Sequence, residues 1–306
     1  MRSLTLVVAS LALIGAAPST GAAELHEEHS FAARPGQTVV VDVSVHRVEV
    51  RVRPSDTVHA AVDISVGGSS RKAERLIEVL RPVFEDRGDD LIIRSVRSGG
   101  WGWYSGSIRG EVTITMPPNL DLQVDSSSGS ILVDGDLGSG SVVCDASSGS
   151  VTVRGAMRNL HVETSSGSIR AEVDRPLESF TADASSGSIR LDGGARTAAV
   201  ETSSGGITLA NLLGDAQMSA SSGGIEARWD AIPPGATITA SASSGGVELR
   251  LPAGTDLDGV AETSSGSIRS DFPGTYDHDE IRFAGGPDAV RVGVDTSSGN
   301  VSLSSN

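Results

Sequence analysis

Four residues ahead of the glycine in each of nine Ser-Ser-Gly tripeptides stands Asp125, Asp145, Glu163, Asp183, Glu201, Ser219, Ser241, Glu262 or Asp295. The neighbours on either side are small or apolar, so this position points outward and recurs once per repeat. Carboxylates spaced this way suit two kinds of chemistry. Stacked about 4.8 Å apart, like charges repel by about 1 kcal/mol even in bulk-water dielectric, and a divalent cation shared between repeats would relieve that, since hard cations want several oxygens. Asp125, Asp145, Glu163, Asp183 and Glu201 are the candidate metal row. The other reading is a solvated face that discourages edge-to-edge aggregation, with Arg170, Arg190 and Arg269, three residues after the glycine, as counter-charges.

Three further groups of side chains invite a chemical reading. Thr164, Thr202, Thr263 and Thr296 stand three residues before the glycine, and serines precede it directly. Such rows can order water or a glycan, or bond to one another and to corner backbone. Trp101, Trp103 and Tyr104 lie among glycines and are the candidate ligand-binding residues, a carbohydrate or protein contact being set against a hydrophobic plug. His278, in Tyr-Asp-His-Asp-Glu, has the composition of a metal cluster, but consecutive residues of one loop seldom converge on one ion. No G-x-S-x-G, phosphate-loop, H-E-x-x-H or paired-cysteine motif occurs, which disfavours the common hydrolase, nucleotide and zinc classes. No catalytic residue and no cofactor is expected.

What positions these residues is the repeat itself. The glycines Gly129, Gly149, Gly167, Gly187, Gly205, Gly223, Gly245 and Gly266 are 20, 18, 20, 18, 18, 22 and 21 residues apart, and Gly299 follows after 33. A near-constant period marks a chain that stacks one small unit on the next. Apolar residues sit seven and five positions before the glycine (Leu160 and Val162, Phe180 and Ala182) and two and four after it (Ile169 and Ala171, Ile189 and Leu191). Each side is therefore a period-two strand, and the inward parity changes across Ser-Ser-Gly, as at an arch or bulge. Glycine suits the positive φ that such corners often need. The predicted fold is all-β: a parallel β-solenoid, right-handed by preference, of about nine coils of 18–22 residues, with these nine glycines as its structural turns. A meander of antiparallel hairpins is the rival, and the six-residue periodicity of a left-handed hexapeptide helix is absent. Cys144 falls at the position of Val124 and Val162 and is predicted to be core, not a nucleophile.

Residues 1–23 read as a signal peptide, with Arg2, an apolar run from Leu4 to about Ala17 and small residues suited to cleavage near Ala22 or Ala23. Residues 24–120 read as a β-rich capping region. Val39–Pro54 is an alternating strand pair with the same parity change at His46 and Arg47; His59–Val66, Leu91–Val96 and Glu111–Met116 are further strands. A helix over about 70–81 is capped by Ser69 or Ser70, carries Ala73, Leu76, Ile77, Leu80 and Val83 on its apolar side, and ends at Pro82. Residues 121–306 form the repeat, with an irregular insertion at about 271–288.

A net charge of −15 opposes nucleic acid and anionic lipid as partners, and no segment after the leader is apolar enough to span a membrane. A leading strand pair, a helix, a strand ending in Met116-Pro117-Pro118 and Ser-Gly-Ser-Ile coils closing on Val-Asp-Thr-Ser-Ser-Gly-Asn-Val resemble the bacterial putative-adhesin family of domains of unknown function over roughly residues 30–306. The resemblance implies an exported or surface-exposed β-helix-like domain, in periplasm or at the cell surface, and carries no catalytic residues. The expected function is a non-enzymatic envelope scaffold or adhesion-type module contacting an envelope protein or a glycan. A polysaccharide-acting β-helix enzyme is the alternative, on fold analogy.

Overall fold

Alternating burial runs through almost every strand of the chain, and it dictates how the strands are used. The computed structural model describes residues 8–9, 22–68, 70–95 and 106–306. It divides into two compact units, Met1–Gly149 and Ser150–Asn306.

In the second unit each Ser-Ser-Gly joins a strand of one sheet to a strand of the other. Leu177–Ala184 buries Leu177, Phe180, Ala182 and Ala184, and Ile189–Asp192, beyond the arch, buries Ile189 and Leu191. The parity change predicted from the spacing is thus the device that lets both strands face one core. Successive strands are parallel and in register, like residue on like residue: Phe180 beside Leu160 and Ala198, Ile189 beside Ile169 and Ile207. The ladder continues through the arch itself, where the amides of Ser185 and Ser186 donate to the carbonyls of Thr164 and Ser165. The core is thin and mostly aliphatic; Phe180 and Trp229 are fully buried in it, with Phe272 and Phe283 nearly so, and the Trp229 indole N–H donates to the Gly214 carbonyl at 2.8 Å.

The coils do not stack in sequence order. Val290–Ser298 lies between Thr237–Ala242 and Leu257–Ser265 in one sheet, and Val301–Ser305 lies between Val247–Leu251 and Ile268–Ser270 in the other. The final coil is therefore an internal rung. The segment expected to be an irregular insertion at 271–288 instead contains two strands, Thr275–Asp277 and Glu280–Phe283, which pair antiparallel with each other and with Leu257–Ser265. An antiparallel hairpin there ends a parallel stack by occupying its open edge.

The first unit repeats this arrangement. Thr38–Val43 pairs with Asp90–Ser95 on one side and Asp121–Ser126 on the other, while His46–Val52 sits between Ile108–Met116 and Ile131–Asp134. The leading strand pair is again an internal rung. Outside it, Ile108–Met116, Thr57–Gly67 and Ala22–Ala32 run antiparallel, as do Pro82–Asp86 and Asp90–Ser95. The helix Ser70–Leu80 buries Ala73, Ile77 and Leu80. Val83, predicted on its apolar side, belongs instead to the strand after Pro82 and is 47% exposed, because proline ends the helix and an extended chain resumes at once. Ala22–Ala32 was not legible as a strand, since Glu24, His26, Glu27, Glu28 and His29 mask its alternation. Glu27 faces inward at 3% exposure and is held there by Arg81, whose Nε donates to it at 3.0 Å, beside a stack of His29 on Phe84 at 3.9 Å.

Candidate functional site

The Ser-Ser-Gly arch is built by close approach. A β-carbon placed on Gly187 would lie 1.9 Å from the Gly167 carbonyl oxygen, on Gly205 2.1 Å from that of Gly187, and on Gly223 2.0 Å from that of Gly205. None of the nine arch glycines has a positive φ, contrary to the expectation for this corner; left-handed backbone occurs instead at the opposite corner, at Gly193 and Gly194. Glycine is required at the arch because the neighbouring coil's backbone occupies the place of its side chain. The threonine three residues earlier completes the corner: Thr202, Thr263 and Thr296 are buried and donate to the carbonyls of Gly187, Gly299 and Gly245 at 3.0, 2.8 and 2.9 Å. These hydroxyls serve the backbone and do not form an exposed ligand row.

The carboxylate row does face outward. In the first unit Asp42, Asp125 and Asp145 are side by side, with Arg94 next to Asp42. In the second, Glu163, Asp183 and Glu201 are followed by Ser219 and Ser241, and then, because the last coil is internal, by Asp295, Glu262 and Glu280. Asp42 and Glu280 extend the row beyond the Ser-Ser-Gly repeats and were missed because neither precedes that tripeptide. Ser241 donates to Asp295 at 3.0 Å, and His161 contacts Glu163 at 3.1 Å. Among the described residues no three His, Cys, Asp or Glu side chains converge as a ligand set. The arginines expected to serve this row lie on the other sheet. Arg170 pairs with Glu172 at 2.5 Å and Arg190 with Asp192 at 2.7 Å, each two residues along its own strand. Arg170 holds the Glu172 carboxyl below its ordinary pKa, with Arg154 assisting. The reason is geometric: an arginine three residues past the arch has crossed to the opposite outer face.

The remaining candidates are accounted for individually. Trp101, Trp103 and Tyr104 lie outside the described residues. Cys144 is fully buried, and desolvation pushes its thiol up to about 12, which suits a core residue and not a nucleophile. His278 is exposed and contacts only the adjacent Asp277, at 2.7 Å, among the described ion pairs. Several open hollows lie on outer faces of the described residues. One of ≈ 440 Å³ in the first unit is lined by His26, Arg47, Asp63, Arg109 and Glu111; the Asp63 hydrogen bond at 2.6 Å raises the His26 pKa. Another, of ≈ 420 Å³ in the second unit, lies over Gly224 and Gly246 between Thr208, Glu226 and Glu248. No helix of the described residues is long and apolar enough to cross a membrane.

His46 is the residue that pattern reading passed over. A β-carbon on Gly129 would strike the His46 carbonyl oxygen at 1.7 Å, just as one on Gly149 would strike that of Gly129 at 2.1 Å. His46 therefore stands in the column of arch glycines. The imidazole is fully buried, and among the described residues neither ring nitrogen has a hydrogen-bond partner. Desolvation lowers its pKa to about 4. The parity change at His46 and Arg47 was the available signal.

A family model described as Toastrack DUF4097 matches residues 40–304. Among curated proteins none matches the chain. Solved structures to which the chain is similar include one described as a putative adhesin from Bacteroides fragilis NCTC 9343, at 10% identity over 92% of this chain and 97% of that one, with a TM-score of 0.43. A second, described as a putative lipid binding protein from Parabacteroides distasonis ATCC 8503, has 15% identity over 91% and 96%, with a TM-score of 0.49. A putative adhesin from the same organism has 12% identity over 90% and 96%, with a TM-score of 0.42. The family assignment rests on the sequence match alone.

Proposed function

The chain belongs to the Toastrack DUF4097 family, and on that premise we propose that it is a non-enzymatic binding module, exported to the envelope of a bacterium, that makes multivalent contacts through its repeated outer faces. The observation that carries this reading is the in-register row of Glu163, Asp183 and Glu201, resumed by Asp295, Glu262 and Glu280 on strands of one sheet. A parallel ladder holds each side chain at a fixed spacing from its copy on the next coil, so a partner with a repeating structure meets several equivalent contacts at once. Each contact is weak in water, and linkage makes the sum strong. The aromatic segment with Trp101, Trp103 and Tyr104 is the proposed anchor, because large amphipathic rings supply binding energy that a row of exposed charges does not.

The test pairs binding with turnover. Purified protein is applied to an array of bacterial surface glycans and envelope proteins, and any bound polysaccharide is incubated with it and assayed for new reducing ends. Saturable binding that weakens in a Trp101→Ala/Trp103→Ala variant, without chain cleavage, is the expected result. Release of reducing ends would replace this reading with the polysaccharide-acting enzyme. Export is checked by N-terminal sequencing of the envelope fraction, where the chain should begin just after Ala22 or Ala23; Met1 retained on a cytoplasmic protein would refute it.

A further inference from the structure

The column of arch glycines ends in the first unit at a histidine, and the histidine is seated on another glycine. His46 is in register with Gly110, and a β-carbon on Gly110 would meet His46 Cδ2 at 2.5 Å and Nε2 at 3.0 Å. The imidazole thus fills the place a side chain on Ile108–Met116 would take. Ser126 is bound to the same corner, donating to the His46 carbonyl at 3.2 Å and accepting from the Gly129 amide at 3.0 Å. A neutral imidazole carries one donor and one acceptor. Burying both without partners costs free energy, and burying the imidazolium would cost more.

Among the described residues nothing packed around the ring offers a counter-charge. In its own sheet the buried row is Leu25, Ile64 and Gly110, and the next is Glu27, Val62 and Val112. Glu27 is committed to Arg81 and stands two strands beyond Ile108–Met116, with His29 beside it. From the facing sheet the row nearest the arch is Ser95, Val43 and Ser126. Arg47, Arg109, Glu111, Asp63 and His26 all lie on the outer side of the sheet, lining the hollow there.

We propose that His46 is an acid-sensitive latch: protonating its imidazole unseats the coil Thr38–Val43/His46–Val52 from Gly110 and opens the capping strands of the first unit. In the closed form the ring titrates at about 4; once exposed to water it titrates near 6.5. The open form therefore binds a proton between these values while the closed form does not, so the closed form is favoured most above pH 6.5 and loses ground as pH falls toward 4. By linkage the opening constant rises about twentyfold from pH 7 to pH 5. His26 acts in the opposite direction, since Asp63 raises its pKa in the folded chain, and His29 in the same direction, since burial lowers its pKa; comparison of the parent with the His46 variants cancels both contributions. For an exported protein, which meets the pH of its surroundings, the latch couples exposure of the paired edges of Asp121–Ser126 and Ile131–Asp134 to acidity.

The experiment is hydrogen exchange with mass spectrometry, corrected for the intrinsic pH dependence of exchange, on parent, His46→Leu and His46→Gln. Peptides covering 38–52 and 108–116 should open about twentyfold more at pH 5 than at pH 7 in the parent and less than about threefold more in either variant. The same rise in both variants would overturn the latch. A second readout needs no variant to fold: of the six histidines, one carbon-13-labelled imidazole should titrate near pH 4, and finding all six above pH 5.5 would equally refute it.

Discussion

Gly205 and Gly206 are adjacent, neither has a positive φ, and an added β-carbon meets different surroundings at each. On Gly205 it would lie 2.1 Å from the Gly187 carbonyl oxygen and 2.5 Å from its carbon; on Gly206 its nearest neighbour is the Gly224 oxygen at 3.5 Å, an ordinary contact. Relieving the first clash requires the two coils to separate by about 1 Å at the arch. That strains the hydrogen bonds of Ser203 to Ala184, Ser204 to Ser185 and Ile189 to Gly206, which are 3.1, 3.1 and 3.0 Å long. Loss of two of them costs about 2 kcal/mol net, and overpacking adds about 1–3 kcal/mol, so Gly205→Ala should destabilise by about 3–5 kcal/mol. Gly206→Ala removes only unfolded-state freedom and should be neutral or stabilise by up to about 1 kcal/mol. Urea unfolding followed by far-UV circular dichroism measures both. If the two variants unfold within about 1 kcal/mol of each other, close approach is not the reason for glycine at the arch.

Two other outcomes follow from the stacking order and from the carboxylate row. Deleting residues 187–204 joins equivalent positions and should leave a folded, shorter stack by circular dichroism and melting, whereas removing residues 289–306 extracts an internal rung and should abolish cooperative melting of the second unit; equal tolerance would refute the interleaved order. Asp183→Asn, flanked in register by Glu163 and Glu201, should raise the melting temperature at low salt and lose that gain in 1 M sodium chloride, with calcium at matched ionic strength doing no more than sodium. A calcium-specific gain abolished by Asp183→Asn with Glu201→Gln would make the row a cation site.

Much of the local architecture was written in the chain. The β-branched residue two positions after each glycine, the apolar residues at −7 and −5, and the parity change between them specify two strands and an arch per repeat, because strand faces alternate with period two whatever the surroundings. Charge and hydroxyl positions followed from the same arithmetic, and Asp125 through Asp295 do lie outward.

Tertiary structure decided which edge meets which. Every coil presents nearly the same edge, so nothing local distinguishes the proper neighbour of Thr237–Ala242 from Leu257–Ser265, which follows it in the chain, to Val290–Ser298, which takes the place. In the second unit that choice is made where the Glu280–Phe283 hairpin covers an open edge, and in the first unit antiparallel strands cover an edge in the same way. The reason for the arch glycine was hidden in the same way: in sequence it reads as a demand for a rare φ, and only the carbonyl of the adjoining coil shows it to be a demand for space. His46 interrupts that column for the same physical cause, since a side chain fits there only because its neighbour, Gly110, has none.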